Sequence, residues 1–332
     1  MTRAKVFAFE RNDPSEESLH WLRDRGVEVA LGKPMWEKGF KRFSDDEIIA
    51  AAQGFDGVIG ASGANFNRRV IDALPRLKYI AKFGVGVDSI DVPYATEKGI
   101  LVANTPVDSQ AAPVSEHAIA MMLALRKRLT QWTPAFMAAG GWRADIFCDV
   151  IAGSTVGIVG LGRIGAGVAR RLVAWEVTLL AYDPFLRQAP AGVELCSLDR
   201  LLAESDVVTL HAAPTPENRH LIDAAALARM KRDAILINTG RAWLVDYPAL
   251  RAALVEGRIG GAGLDVFETE PPDPADVLFT LNNVVVSPHS ATWSLSGVMK
   301  VGWCAARNMW AMISGEGEAA IVNPDARNNA KI

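Results

Sequence analysis

Short runs rich in β-branched residues alternate with helix-length amphipathic segments along almost the whole chain. This alternation is typical of parallel sheets covered by helices on both faces. The first series of predicted strands comprises residues 5–9, 27–30, 57–59, 79–82 and 100–103. The second series comprises residues 155–159, 177–182, 206–211, 234–238, 261–265 and 284–287. Two independent series in 332 residues predict an α/β protein with two doubly wound domains, which agrees with a prior of about one domain per 150 residues.

The boundary between the two series is marked by turn residues. Residues 104–115 are rich in such residues and in proline, and we expect them to lead into a long helix from Glu116 to about Leu129. Pro113 suits a first helical turn, where a missing N–H costs nothing. A second long helix is predicted over residues 295–313. The last residues, 314–332, are polar and rich in glycine and asparagine, which predicts a surface tail.

The composition excludes several classes of partner. The chain carries 35 basic and 38 acidic side chains, a net charge of −3, and has no basic block, so nucleic acid and anionic membrane are not expected partners. No signal peptide is apparent, and no apolar helical stretch approaches the roughly 20 residues that span a bilayer. The three cysteines are scattered without metal-ligand spacing, which predicts reduced thiols, no metal site and a cytoplasmic location.

A glycine-rich turn lies between the first strand of the second series and the helix after it. A bare GxGxxG pattern is weak, but here a strand precedes it and a helix begins at once. Gly160 permits the tight turn, Gly162 lets a pyrophosphate approach the backbone, and Gly165 lets the helix pack on the strand. The first helical residues, Arg163 and Ile164, place N–H groups where they can bind phosphate.

The next strand ends in an acidic residue. Asp183 is expected to accept hydrogen bonds from the adenosine ribose, and its charge would repel a 2′-phosphate, which favours NAD over NADP. The alternative is that Asp183 only caps the turn that it forms with Pro184.

Polar side chains also follow three later strands. Arg241, Asp265 with Glu270, and His289 come after strands whose carboxyl ends should meet at one edge of the sheet. Arg241 offers a planar fork to a carboxylate, His289 can exchange a proton near neutral pH, and Glu270 would orient that histidine and keep it protonated. Taken singly, each residue has a plain structural alternative. Arg241 could be a solvated surface charge, Glu270 an ordinary loop residue, and His289 a histidine whose hydrogen bonds are purely structural.

Several of these segments occur together in a known order. The runs GIVGLGRIG, INTGRAWLVD, GLDVFETEPP and VSPHSAT resemble the D-isomer-specific 2-hydroxyacid dehydrogenases, and so do KFGVGVDSIDV and VSEHAIAMMLALRKRL upstream. The resemblance covers about residues 79–292. It implies a flavodoxin-like substrate-binding domain over residues 1–103 and 290–332, a Rossmann NAD-binding domain over 104–289, and an active site in the cleft.

The resemblance also implies a role for each matching residue. The protein would transfer a hydride between NAD(H) and a D-2-hydroxy or 2-oxo acid without a metal. The implied catalytic residues are Arg241, Glu270 and His289. The implied cofactor-binding residues are Gly160, Gly162, Arg163, Ile164, Gly165, Asp183, Thr239 and Asp265. The implied substrate-binding residues are Ser62, Gly63, Val85, Gly86, Arg241 and His289.

Some questions stay open at this stage. Transcriptional corepressors share this fold and these residues, so an NAD-sensing binding protein is the alternative function. In the family the long helix after residue 116 belongs to a homodimer interface, although its apolar face could equally be core. Trp243 departs from the family pattern and either shapes the substrate pocket or packs elsewhere. Cations that could bind a phosphorylated substrate, or could simply be solvated, are Lys38, Lys41, Arg42, Arg68 and Arg69.

Overall fold

The computed structural model describes residues 3–11, 13–34, 42–106, 111–142 and 147–329. The chain divides into two compact units. The first unit consists of Met1–Gln110 and Ser294–Ile332, and the second of Ala111–Trp293. The chain therefore leaves the first unit once and returns to it, with unit boundaries a few residues beyond the expected domain limits.

Five parallel strands form the sheet in the described part of the first unit, in the order β2-β1-β3-β4-β5. The strands are β1 (Lys5–Arg11), β2 (Glu28–Pro34), β3 (Gly57–Gly60), β4 (Tyr79–Lys82) and β5 (Leu101–Ala103). The helices are α1 (Glu17–Asp24), α2 (Asp45–Ala52), α3 (Arg68–Asp72), α4 (Val92–Glu97), α11 (Leu295–Ser314) and α12 (Ala326–Asn329).

Helices cover both faces of this sheet. One apolar cluster joins α1 and α11 to the sheet through residues such as Leu22 and Met309. The other joins α2, α3 and α4 through residues such as Ile48 and Val70. Strands β3 and β4 are almost wholly buried because both of their faces are covered, which explains their continuous apolar sequences.

Seven parallel strands form the sheet in the described part of the second unit, in the order β12-β11-β10-β9-β6-β7-β8. They are β6 (Thr155–Val159), β7 (Thr178–Tyr182), β8 (Val193–Leu195), β9 (Val207–Leu210), β10 (Ile235–Asn238), β11 (Gly261–Leu264) and β12 (Val284–Val286). The helices are α5 (Ala111–Arg126), α6 (Pro134–Ala138), α7 (Arg163–Leu172), α8 (Leu198–Glu204), α9 (Ala224–Arg229) and α10 (Tyr247–Val255).

The order of these strands indicates where a ligand-binding crevice lies on the second unit. The chain runs outward from β6 in one direction to β7 and β8, and then in the other through β9 to β12. In such a sheet a crevice opens at the carboxyl ends of the strands where the order reverses, which here is beside β6 and β9. We call this border the carboxyl edge. Both units thus confirm the predicted doubly wound parallel architecture.

Two expectations about individual elements were wrong, and one strand was missed. Helix α5 begins at Ala111 rather than Glu116, because Pro113 is accommodated in its first turn. Strand β8 was missed because it is a short edge strand with no continuous apolar run. Residues 314–332 are not simply a surface tail: Ile321 forms a bridge with Ala103, and Asn323 is buried.

Within the described residues, no helix combines the length and the apolar character needed to cross a membrane.

Candidate active site

The glycine-rich turn separates β6 from α7 at the carboxyl edge of the second unit. Gly160 has φ +88°, and a β-carbon there would lie 2.5 Å from the Ala212 nitrogen. A β-carbon on Gly165 would lie 2.1 Å from the Gly160 carbonyl oxygen, so close packing requires this glycine. A β-carbon on Gly162 would meet no atom within 4 Å. The second glycine therefore borders open space at the start of a helix, as a pyrophosphate site requires.

Asp183 follows β7 and already has two partners. Its Oδ2 accepts the backbone N–H of Leu161 at 2.9 Å, and its Oδ1 accepts that of Phe185 at 3.0 Å. The carboxylate therefore caps its own turn and also holds the glycine-rich turn. Its expected bonds to a ribose stay a prediction.

Arg241 lies in a turn that a buried asparagine shapes. Asn238, the last residue of β10, accepts the N–H of Gly240 through Oδ1 at 3.1 Å and donates through Nδ2 to the Arg241 carbonyl at 3.0 Å. The Arg241 guanidinium is half-buried and donates to the Gly240 carbonyl at 3.0 Å. Asn238 was missed by the sequence analysis, although its place at the end of an apolar strand is a usable signal.

Trp243 follows in the next turn and packs within the second unit. Its indole Nε1 donates to the Thr215 carbonyl at 2.9 Å, and the Arg219 guanidinium lies 5.0 Å from the ring centre. The side chain is fixed to a neighbouring loop although 42% of the residue remains exposed. These contacts support the packing alternative.

His289 and Glu270 form a direct pair at the same edge. His289 Nδ1 lies 2.8 Å from Glu270 Oε2, and Glu270 Oε1 accepts the N–H of Phe267 at 3.2 Å. The Glu270 side chain is only 23% exposed, whereas that of His289 is 49% exposed. The glutamate is thus held by the loop after β11, and the imidazole that it orients faces solvent.

Asp265 is buried beneath the loop that carries His289. Its carboxylate accepts the N–H groups of Ser290 and Ala291 at 2.8 and 3.0 Å and the hydroxyl of Ser287 at 2.5 Å. A contact of Asp265 with the cofactor stays a prediction, and the contacts described here are within the protein.

Two buried polar atoms at the carboxyl edge have no hydrogen-bond partner among the described residues. They are the Oγ1 of Thr239, after β10, and the Nδ1 of His211, after β9. Burial lowers the pKa of His211 to about 4, so its imidazole is neutral near pH 7. Unpaired buried polar atoms are costly, which makes these two suitable contacts for a bound polar ligand. Together with the open space at Gly162, they fit a dinucleotide.

In the first unit, the expected substrate-binding loops follow β3 and β4, which are neighbours in the sheet. The N–H groups of Ser62 and Gly63 donate to the buried carboxylate of Glu10 at 3.1 and 2.8 Å. Burial raises the pKa of that carboxyl, while these N–H groups and the charge of Lys82 oppose the rise. A substrate contact at Ser62 would thus use its exposed side chain, because its backbone donor is engaged.

The second loop, at Val85 and Gly86, is held by the residues that follow β5. The Asn104 side chain donates to the Val85 carbonyl at 2.7 Å, and the Thr105 hydroxyl accepts the N–H of Gly84 at 2.7 Å. Val85 is 45% exposed. Donation from Val85 and Gly86 to a substrate carboxylate stays a prediction.

The candidate phosphate-binding cations in the described residues have partners. Arg68 pairs with Asp91 at 3.3 Å, and Arg69 pairs with Asp46 at 2.6 Å. Arg42 also has a partner. Lys38 and Lys41 lie outside the described residues.

Comparison with known proteins identifies the relatives of this chain. Residues 119–291 match the family model of the D-isomer specific 2-hydroxyacid dehydrogenase, NAD binding domain. A D-3-phosphoglycerate dehydrogenase of Archaeoglobus fulgidus is 37% identical over 305 residues, which make up 91% of this chain but 56% of that protein. A glyoxylate reductase of Korarchaeum cryptofilum is 39% identical over 287 residues, which make up 84% of this chain and 86% of that protein.

The fold of the chain is also found in a crystal structure. The TT0316 protein of Thermus thermophilus has a TM-score of 0.86 and 32% identity, covering 96% of this chain and 99% of that one. The chain spans a little over half the length of the curated phosphoglycerate dehydrogenases that it matches. The cofactor of the matched domain is NAD(H). The chain therefore belongs to the D-isomer specific 2-hydroxyacid dehydrogenase family.

Proposed function

We propose that this protein is an NAD(H)-dependent oxidoreductase that interconverts a D-2-hydroxy acid and the corresponding 2-oxo acid. The observation that carries the proposal is the pair formed by His289 and Glu270 at the carboxyl edge, two strands from the turn that bears Arg241. When bound, the nicotinamide cofactor supplies or accepts the hydride. The remaining chemistry is the exchange of a proton and the stabilisation of charge on the substrate.

His289 is the proposed acid and base. Its Nδ1 is bonded to Glu270, which leaves Nε2 to give a proton to the substrate oxygen during reduction and to take it back during oxidation. Glu270 fixes the plane of the imidazole ring and balances its positive charge when it is protonated. This arrangement needs a glutamate that is itself held, which the Phe267 N–H supports.

Arg241 is the proposed binding group for the substrate carboxylate and carbonyl oxygen. Its guanidinium can form two parallel hydrogen bonds with a carboxylate, and its charge stabilises the developing alkoxide. The hydrogen bonds from Asn238 keep the turn in one conformation. The backbone around Arg241 therefore loses little conformational entropy when the substrate binds.

The cofactor is proposed to bind along the glycine-rich turn. The N–H groups at the start of α7, from Arg163 to Gly165, would hold the pyrophosphate over Gly162. Asp183 would accept bonds from the ribose hydroxyls, and Thr239 and Asp265 would border the nicotinamide.

The test is a panel of 2-oxo acids, phosphorylated and unphosphorylated, with consumption of NADH and NADPH followed separately. We expect turnover of at least one acid, and a fall in kcat of about 10² or more in His289→Ala while NADH still binds. Near-normal turnover in that variant would contradict the role of His289. Tight NADH binding without turnover of any acid would favour the NAD-sensing alternative.

We also propose that the protein is a homodimer. The buried residues of α5 pack into the core of the second unit, but several large apolar residues that follow this helix are exposed. They are Leu129, Trp132, Met137, Trp142, Phe147 and Val150. Light scattering of Trp142→Ser/Phe147→Ser should show a monomer where the parent chain shows a dimer. Val255→Ser, at another exposed apolar site, on α10, is the control and should stay dimeric.

A further inference from the structure

A second histidine is connected to the loop that carries His289. His117, on α5, has its Nε2 2.8 Å from the hydroxyl oxygen of Ser287, which directly follows β12. The Ser287 hydroxyl lies 2.5 Å from Oδ1 of Asp265, and His117 Nε2 lies 3.8 Å from that same oxygen. The side chains of His117, Ser287 and Asp265 thus form a row of hydrogen-bonded groups beneath the loop that carries His289.

The direction of the hydrogen bonds follows from the available protons. The Asp265 carboxylate already accepts two backbone N–H groups, from Ser290 and Ala291, so it acts as an acceptor toward Ser287 as well. A serine hydroxyl has one proton, and here that proton is given to Asp265. His117 must therefore donate from Nε2 to the Ser287 oxygen.

The row ends at the backbone of His289. The N–H of His289 donates to the carbonyl of Asp265 at 2.8 Å and to that of Ser287 at 3.0 Å. His289 has φ +53°, in the left-handed region that a residue with a β-carbon rarely adopts. The two carbonyl groups that accept this N–H belong to Ser287, which is hydrogen-bonded to His117, and to Asp265, which is hydrogen-bonded to Ser287.

We propose that His117 is a positioning residue for the acid–base step, acting through Ser287 and Asp265 on the backbone of His289. The inference rests on the proposed function of His289. Helix α5 is packed against α7 and the sheet, so it provides a fixed point from which the Nε2 donor sets the rotamer of Ser287. Without this donor, the loop keeps its fold but holds His289 less firmly, so the proton transfer slows while cofactor binding is retained.

The experiment compares His117→Phe with His117→Gln in the full chain. The phenylalanine ring fills the space without a donor, and the glutamine amide places a donor at a similar reach. We expect kcat for the best 2-oxo acid to fall about tenfold in His117→Phe and to recover to within about threefold in His117→Gln, with the Kd of NADH and the Tm unchanged in both. The control, His20→Phe on the exposed side of α1, should leave kcat unchanged.

A double-mutant cycle tests the route through Ser287. Ser287→Ala should lower kcat as His117→Phe does, and the double variant should be no slower than either single variant. Additive losses, or normal kcat in His117→Phe, would overturn the inference. If His117→Phe does not fold, His117→Leu takes its place in the cycle, because leucine also lacks a donor. Near-normal activity in His289→Ala would instead contradict the proposed function. The failure of this inference and the failure of the proposed function are therefore distinguishable.

Discussion

His289 Nδ1 lies 2.8 Å from one oxygen of Glu270, while the other oxygen of that carboxylate accepts the N–H of Phe267 at 3.2 Å. The glutamate therefore connects the loop after β11 to the imidazole, and a backbone N–H of that loop helps to fix its orientation. The pairing across 19 residues joins the ends of two adjacent strands.

Glu270→Gln should lower kcat by about tenfold or more, because a neutral amide cannot balance the charge of a protonated imidazole. The binding of NADH, followed by fluorescence, should change little. Glu268→Gln is the matched control two residues away: its carboxylate pairs with Arg251 at 3.0 Å near the surface, and kcat should be unaffected. A kcat in Glu270→Gln equal to that of the parent chain would contradict the role of the glutamate.

The strands and the positions of the candidate site residues after them could largely be predicted from the sequence, because both depend on local patterns. Buried parallel strands are continuous apolar runs, and polar residues that follow them must meet at one edge of the sheet. In the structure Arg241, Glu270 and His289 follow β10, β11 and β12, as this reasoning expects, while their catalytic roles stay predictions. This reasoning could not find the contact of His117 with Ser287, since these residues are 170 positions apart and nothing in either of their motifs indicates that the two side chains meet.

The C-terminal residues show a second limit of sequence reasoning. A polar, glycine-rich composition predicts a solvated tail, yet Asn323 is buried because its amide satisfies backbone groups of the first unit. The pattern of the segment carries no sign of these partners, since they lie more than 220 residues away.

The glycine-rich turn predicts opposite behaviour for two alanine substitutions. Gly162 has φ −68°, which alanine adopts, and its β-carbon would point into open space, so Gly162→Ala should fold normally but bind NADH at least about tenfold more weakly. Gly165→Ala should instead lower the free energy of unfolding by about 2 kcal/mol or more, because its β-carbon would collide with the Gly160 carbonyl.

Urea unfolding and NADH titration of both variants make this comparison. If Gly162→Ala is the less stable of the two, or binds NADH normally, the assignment of the second glycine to the pyrophosphate is wrong.

Asp183→Ala should shift the cofactor preference toward NADP. Removing the carboxylate removes a charge that repels a 2′-phosphate, so the ratio of kcat/KM for NADH to that for NADPH should fall by about tenfold. Asp199→Ala, an exposed acid on α8, serves as the control for a general change in charge. If the ratio is unchanged in Asp183→Ala, Asp183 does not select the cofactor, and its role is limited to the hydrogen bonds with Leu161 and Phe185.

Asn323→Ala should destabilise the first unit. The Asn323 amide accepts the N–H of Val102 at 2.8 Å and donates to the Ile100 carbonyl and the Thr96 hydroxyl, both at 2.9 Å. Truncation leaves buried backbone groups without partners, so we expect a loss of about 3 kcal/mol in urea unfolding. Asn328→Ala, five residues later and exposed, should cost less than about 0.5 kcal/mol. Equal effects of the two substitutions would argue against a structural role for the buried amide.

His211 should make stability depend on pH between about 6.5 and 4. Burial lowers the pKa of its imidazole from 6.5 to about 4, so below pH 6.5 the unfolded chain binds a proton that the folded chain does not. The free energy of unfolding therefore falls as the pH decreases through this window, by up to about 1.4 kcal/mol per pH unit from this residue. Above pH 6.5 His211 does not make stability depend on pH, because the imidazole is neutral in both states.

His211→Gln removes this titration. Urea unfolding of the variant and the parent chain at several values between pH 7 and pH 4.5 should give a difference that narrows or reverses in favour of the variant as the pH falls. The other titrating groups are common to both chains, so subtraction isolates His211. His20→Gln, at an exposed position, should follow the parent curve throughout. A constant difference between His211→Gln and the parent chain would show that the imidazole is protonated as readily in the folded state as in the unfolded state.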